Sequence, residues 1–126
     1  MPCIYKIYKD KRLVVTTASE VFTHAEGLAH EDQIYREPDF DPNFAHLIDG
    51  TSVTKAELTP PELQYLARRT RFSPQSRRAM VVNSPVLYGI ARMFEAYLQL
   101  SGSGEFMSVF KERDKALEWL GVDGEV

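Results

Sequence analysis

A single cysteine, Cys3, in 126 residues excludes an internal disulfide and any site built on several thiolates, and points to a reducing, cytoplasmic setting. No apolar run approaches the roughly 20 residues that span a bilayer. Met1 to Tyr8 lacks a basic stretch followed by a long apolar one, so neither a membrane span nor a secretory signal is expected. Glycine-rich phosphate loops, nucleophile elbows and clearly spaced carboxylate pairs are also missing, which leaves catalysis without visible apparatus. The chain reads as a non-enzyme that needs no cofactor.

Acidic residues are missing from one long stretch. None occurs between Glu62 and Glu95, while Arg68, Arg69, Arg71, Arg77, Arg78 and Arg92 all fall there. Glu26, Glu31, Asp32, Glu37, Asp39 and Asp41 crowd an earlier segment with only Arg36 against them. Such segments are ordinarily solvated faces, or faces that meet within the fold. The sharper reading is an anionic partner or a second copy of the chain docking on the arginines. A net charge of -3 and the absence of a recognisable binding module argue against nucleic acid.

What is present points to one α/β domain over residues 1–126. Ala79 to Val82 is an unbroken apolar run, as in a strand covered on both faces. Ser84 can cap, and Pro85 can open, a helix in which Leu87, Ile90, Ala91, Phe94 and Leu98 share a face; Ser101 and Gly102 end it. Upstream, residues 3–8 and 13–17 are rich in β-formers and are expected to form an antiparallel hairpin. Ser19 is expected to cap a helix burying Val21, Phe22, Ala25, Leu28 and Ala29, weakened by Gly27. Phe44 to Ile48 reads as a strand ending at an Asp49-Gly50 turn, with polar Thr51 to Glu57 as a loop. Thr59, Pro60 and Glu62 have the spacing of a capping box. Glu105 to Phe110 reads as a last strand, and Asp114 to Leu120 as a helix closed by Gly121. The order is β-β-α-β-α-β-α-β-α: a mixed, mostly parallel sheet of four or five strands with an N-terminal antiparallel hairpin.

Three blocks together carry a resemblance. Pro38 to Phe44 leads into Leu47, Asp49 and Val53 to Leu58; Arg78-Ala79 is followed by Pro85, Tyr88-Gly89 and Ala91 to Phe94; Phe106, Val109-Phe110 and Ala116 to Leu120 close the chain. In order and spacing these are similar to the bacterial STAS-like family related to the sporulation anti-anti-sigma factor, whose fold is also compared with the Sec14 and CRAL-TRIO lipid-binding domain. The resemblance implies a β/α fold and non-enzymatic regulatory binding. Phosphorylatable members carry a serine in an Asp-Ser-x-Gly type motif at a strand-to-helix junction. The matching segment, Asp49 to Thr54, lacks that motif, so Thr51 and Ser52 are positional candidates for phosphorylation only.

In open α/β sheets, ligands favour the carboxyl ends of parallel strands. Those ends are expected at Thr16-Thr17, at Asp49, Thr51 and Ser52, at Asn83 and Ser84, and at Lys111. For Asp49, Asn83 and Ser84, turn or capping roles compete with ligand contact. His24 and His30 do not share a helix face, Glu26 and His30 alone do not make a metal site, and His46 reads as a packed or edge histidine. Cys3 reads as a structural thiol. The leading expectation is a regulatory or scaffold domain that recognises a protein partner or forms a homodimer, with residues 51–54, Arg68, Arg71 and Arg92 as contacts. The alternative is a carrier or sensor of an apolar or lipid-like anion, with the central helix as cavity wall and arginines at the mouth.

Overall fold

The computed structural model describes residues 3–102, 106–122 and 126. β1 (Cys3–Tyr8) and β2 (Leu13–Thr23) pair antiparallel across a short 3-10 turn, closed by Arg12 in the left-handed region at φ 52°. There follow α1 (His24–Arg36), β3 (Ala45–Glu57), α2 (Pro60–Arg68), β4 (Arg78–Val81), α3 (Pro85–Leu100), β5 (Met107–Phe110) and α4 (Arg113–Leu120). The five strands lie in sequence order, with β2 to β5 parallel and β1 as the antiparallel edge. Glu105, the expected start of the last strand, lies outside the described residues.

This topology decides where the layers sit. Each parallel strand is added on the same side of the last, so right-handed crossovers put α1, α2 and α3 on one face. α4 follows the final strand and covers the other: Ala116 and Leu120 pack with Leu13, Val15, Leu47, Ala79 and Val81 in one buried cluster. The pleat sends the alternate residues His46, Ile48, Arg78 and Met80 toward the three-helix face.

The marked helix starts are found where the sequence places them. Thr59 Oγ1 accepts from Glu62 N at 3.3 Å while Glu62 Oε1 accepts from Thr59 N at 2.9 Å, completing the capping box. Ser84 Oγ accepts from Leu87 N at 3.2 Å, with Pro85 in the first turn of α3. Gly121 closes α4 at φ 73°.

Two expectations are corrected, and they are one error. Ser19 does not cap a helix, since β2 continues to Thr23, whose hydroxyl accepts from Glu26 N at 3.2 Å and caps α1. The expected stripe on α1 fails with it: Val21 and Phe22 are strand residues, Ala25 and Ala29 are exposed, and Gly27 and Ile34 are the buried positions. Likewise Asp49-Gly50 is not a turn and Thr51 to Glu57 is not a loop, because β3 runs through them. Each segment is extended because the other is its partner, Ser19 against Ser52 through to Thr23 against Glu57. β4 ends at Val81, so this far part of β2 and β3 is a two-stranded ribbon reaching beyond the sheet. Register shifts after Thr17 and Glu20, the latter at φ 60°, twist the ribbon over the three-helix face.

Candidate functional site

The two faces of the sheet are filled differently. Under α4 there is one continuous apolar cluster, whereas the other face carries three separate clusters with a cavity of about 170 Å³ among their residues. Ala18, Ile48, Gly50, Met80 and Val82 form its sheet side. Gly27 and Ile34 from α1, Leu63 and Leu66 from α2, and Ala91 and Phe94 from α3 form its helix side. Phe22, Val53 and Ala56 of the ribbon also line it. Ala18 and Ala91 are the small side chains on its two sides, whereas Gly27 and Gly50 let neighbouring groups pack closely: a Cβ at Gly27 would stand 3.1 Å from Leu66 Cδ1.

The apolar lining is interrupted by one polar group of side chains. Thr16 of β2, His46 near the start of β3, Arg78 at the start of β4, and His30 and Glu31 of α1 all line the cavity. Thr16 Oγ1 lies 2.7 Å from His46 Nε2 and 2.9 Å from His30 Nε2, so one hydroxyl links two imidazoles. His46 stacks on Phe72 with ring centres 4.7 Å apart. Arg78 donates to Thr70 Oγ1 at 3.2 Å and lies 5.9 Å over the Phe72 ring. Nδ1 of His30 and Oε1 of Glu31 are buried without a hydrogen-bond partner among the described residues.

Burial sets the charges here. It pushes His30 down to about 4 and holds His46 well below the ordinary histidine value, with His30 and Arg78 adding to the latter effect. It pushes Glu31 up to about 7, outweighing the Arg69 guanidinium 3.8 Å away, and Asp32 adds to the rise. At neutral pH the group therefore holds two uncharged imidazoles, a guanidinium and a carboxyl near its midpoint. Among the described residues no three His, Cys, Asp or Glu side chains are grouped as a metal site would need.

The residues singled out from the sequence lie elsewhere. Asp49 points to the α4 side, where it accepts from Arg113 at 2.5 Å and from the Thr51 backbone at 3.0 Å and hydroxyl at 2.7 Å. Burial works to raise its pKa, but those hydrogen bonds prevail and hold it below the ordinary value. Thr51 and Ser52 sit within a strand rather than at a strand-to-helix junction, Ser52 being exposed. Asn83 donates to the Thr51 carbonyl at 3.1 Å and Ser84 caps α3, so the strand-end groups have partners in the backbone. Arg68 and Arg71 are exposed, the latter 5.6 Å over the Tyr35 ring, and Arg92 pairs with Glu95 at 2.8 Å. None of these three lines the cavity; Arg78 is the arginine that does. The acidic and basic segments do meet within the fold, through Arg69 with Asp32 at 2.7 Å and with Glu31.

Thr16, His30, Glu31, His46 and Arg78 were not readable as a group. The available signal was a histidine inside an apolar strand and an arginine opening another. Joining them needs the register that sets His46 against Val14 and Arg78.

The architecture, a five-stranded mixed sheet with an antiparallel N-terminal hairpin and four helices, is the SpoIIAA-like, STAS-like fold. It is shared with the crystal structure of an uncharacterised DUF3478-family protein from Shewanella loihica PV-4, at a TM-score of 0.60 and 16% identity over 94% of this chain and 91% of that one. No family model matches the sequence, and no curated protein matches it. The likeness is one of fold. Among the described residues no helix is long and apolar enough to cross a membrane.

Proposed function

We propose that this protein is a non-catalytic binding module that takes a small, largely apolar ligand between its sheet and α1, α2 and α3, and that it works as a carrier or sensor. The observation that carries this is the cavity of about 170 Å³, apolar except for the side chains around Thr16. A well-packed domain has few voids larger than a water molecule, and apolar cavities of about 150 Å³ admit benzene. The volume is below the roughly 300–1,000 Å³ of drug-sized sites, which favours a ring-sized ligand over a long acyl chain. Thermal unfolding with and without ethylbenzene tests it. At a hundred times its dissociation constant the ligand should stabilise the chain by about 2.7 kcal/mol. Failure of a series of ring-sized apolar compounds to raise the midpoint would end this reading.

Recognition of a protein partner, or of a second copy, is supported by a different observation. Val86, Met93 and Leu100 recur every seven residues along α3 and are 73%, 39% and 84% exposed. Surface apolar residues in such a stripe mark contact surfaces more often than isolated ones do. Sedimentation of the wild type and of Val86→Lys/Leu100→Lys tests the self-association form, which an unchanged monomer in both would exclude.

A further inference from the structure

Of the sixteen residues of α3 only Arg92 and Glu95 are charged, and they pair with each other at 2.8 Å. Val86, Gly89, Met93, Ala96 and Leu100 are all exposed, and their steps of three and four residues put them in one stripe that carries no charge. A surface helix ordinarily turns charged residues to water. The exposed residues of α4, Asp114, Lys115 and Glu118, do so. A Cβ on Gly89 would meet nothing within 4 Å, so the space beside it is open.

The stripe reads alike from either end. Val86 and Leu100 stand seven residues either side of Met93, with one small residue, Gly89 or Ala96, on each arm. Two copies of α3 laid antiparallel about a twofold axis at Met93 set each Val86 level with the other copy's Leu100. Each Gly89 falls level with the other copy's Ala96 to about 1.5 Å, the rise of one residue. The small residues let the helix axes approach toward the short end of the usual range of about 8–10 Å. The ends of α3 favour the same direction. α1 and α2 each have an acid in the first turn and an arginine in the last, and α4 has Asp114 in its first, but α3 has neither. Charged side chains on its own end turns therefore do not compensate its dipole, whereas an antiparallel neighbour sets the negative end of one helix beside the positive end of the other. We propose that α3 is the interface of a symmetric homodimer, packed antiparallel on α3 of a second copy with Met93 at the twofold axis. This rests on the reading of the exposed stripe as a contact surface, and it fixes both the occupant and its direction.

Cysteine cross-linking of the full chain tests it. Val86→Cys and Leu100→Cys are oxidised with copper phenanthroline separately and as a mixture, and the wild type, whose Cys3 is buried, gives the background. Both substitutions fall at exposed positions and leave the core untouched. In the antiparallel pair residue 86 faces residue 100, where a disulfide needs a Cα separation of about 4.4–6.8 Å, while like positions lie about 21 Å apart. The mixture should give the mixed disulfide, identified by intact mass, and neither variant alone should cross-link. Cross-links in each variant alone would overturn the antiparallel arrangement while keeping α3 as a surface for self-association. Sedimentation as a dimer without any cross-link would move the interface to another face and overturn the proposal. A monomer without any cross-link would remove self-association itself.

Discussion

Thr16 is 1% exposed and serves two histidines at once, which makes it an informative single position. Thr16→Val keeps the shape and the β-branch but strands two buried imidazole nitrogens. An unsatisfied buried polar group costs about 1–3 kcal/mol, so urea denaturation should show a loss on the order of 2 kcal/mol or more. A variant within 0.5 kcal/mol of wild type would mean that the histidines are otherwise served. Glu31 makes a pH-dependent statement. Its pKa lies at about 7 in the fold against 4.5 for an ordinary glutamate, so its contribution is fully present below about 4.5 and is lost as pH rises through 7. Glu31→Gln lacks that loss. The variant should match wild type near pH 4.5 and exceed it at pH 8 by on the order of 2–3 kcal/mol. His30 works in the opposite sense: its depressed pKa contributes stability above 6.5 that is lost as pH falls toward about 4. That term is shared by both proteins and leaves their difference intact. Equal urea midpoints at pH 8 would show that Glu31 is ionised in the fold without penalty.

The ribbon formed by the far halves of β2 and β3 separates what is readable along the chain from what is not. Helix starts were readable because a cap is local: Thr59 with Glu62, or Ser84 with Pro85, finds its partners within three or four residues. The ribbon was not, because Ser19 to Thr23 and Ser52 to Glu57 are polar, one-sided and extended only against each other. Ser19 even has the chemistry of a cap, and tertiary pairing overrode it. Gly50 lies where the β2–β3 register shifts, between the Thr17–Asp49 and Ser19–Ser52 pairs. A Cβ there would stand 3.2 Å from the Val81 carbonyl oxygen and 3.4 Å from Val82 Cγ1, and a β4 backbone atom cannot swing aside as a side chain can. Gly50→Ala should therefore separate β3 from β4 locally and destabilise by about 1–3 kcal/mol, with faster amide exchange at Val81 and Val82. Protection unchanged from wild type would show that the strands accommodate the methyl.

For the whole molecule the decisive feature is the unequal filling of the two faces. Ala91 of α3 is 3% exposed and lines the cavity, so Ala91→Leu places three further carbons in space that is already there. Overpacking a filled core costs about 1–3 kcal/mol, whereas filling a void is neutral or stabilising. The variant should unfold at or above the wild-type midpoint and lose ethylbenzene binding. A strong loss of stability would mean that the cavity is not available at that position.

Taken alone, the sequence determined the element order, the antiparallel hairpin, the parallel character of the remaining sheet, the starts of α2 and α3 and the glycine that closes α4. Each of these depends on apolar runs, periodicity and caps that act within a few residues. Only the tertiary structure decided that β2 and β3 extend as a ribbon, that Asp49 turns to Arg113 instead of a ligand, and that Thr16, His30 and His46 meet. The physical reason is that register between strands some thirty residues apart selects which side chains share a face. A residue's chemistry depends on that company more than on its neighbours in the chain.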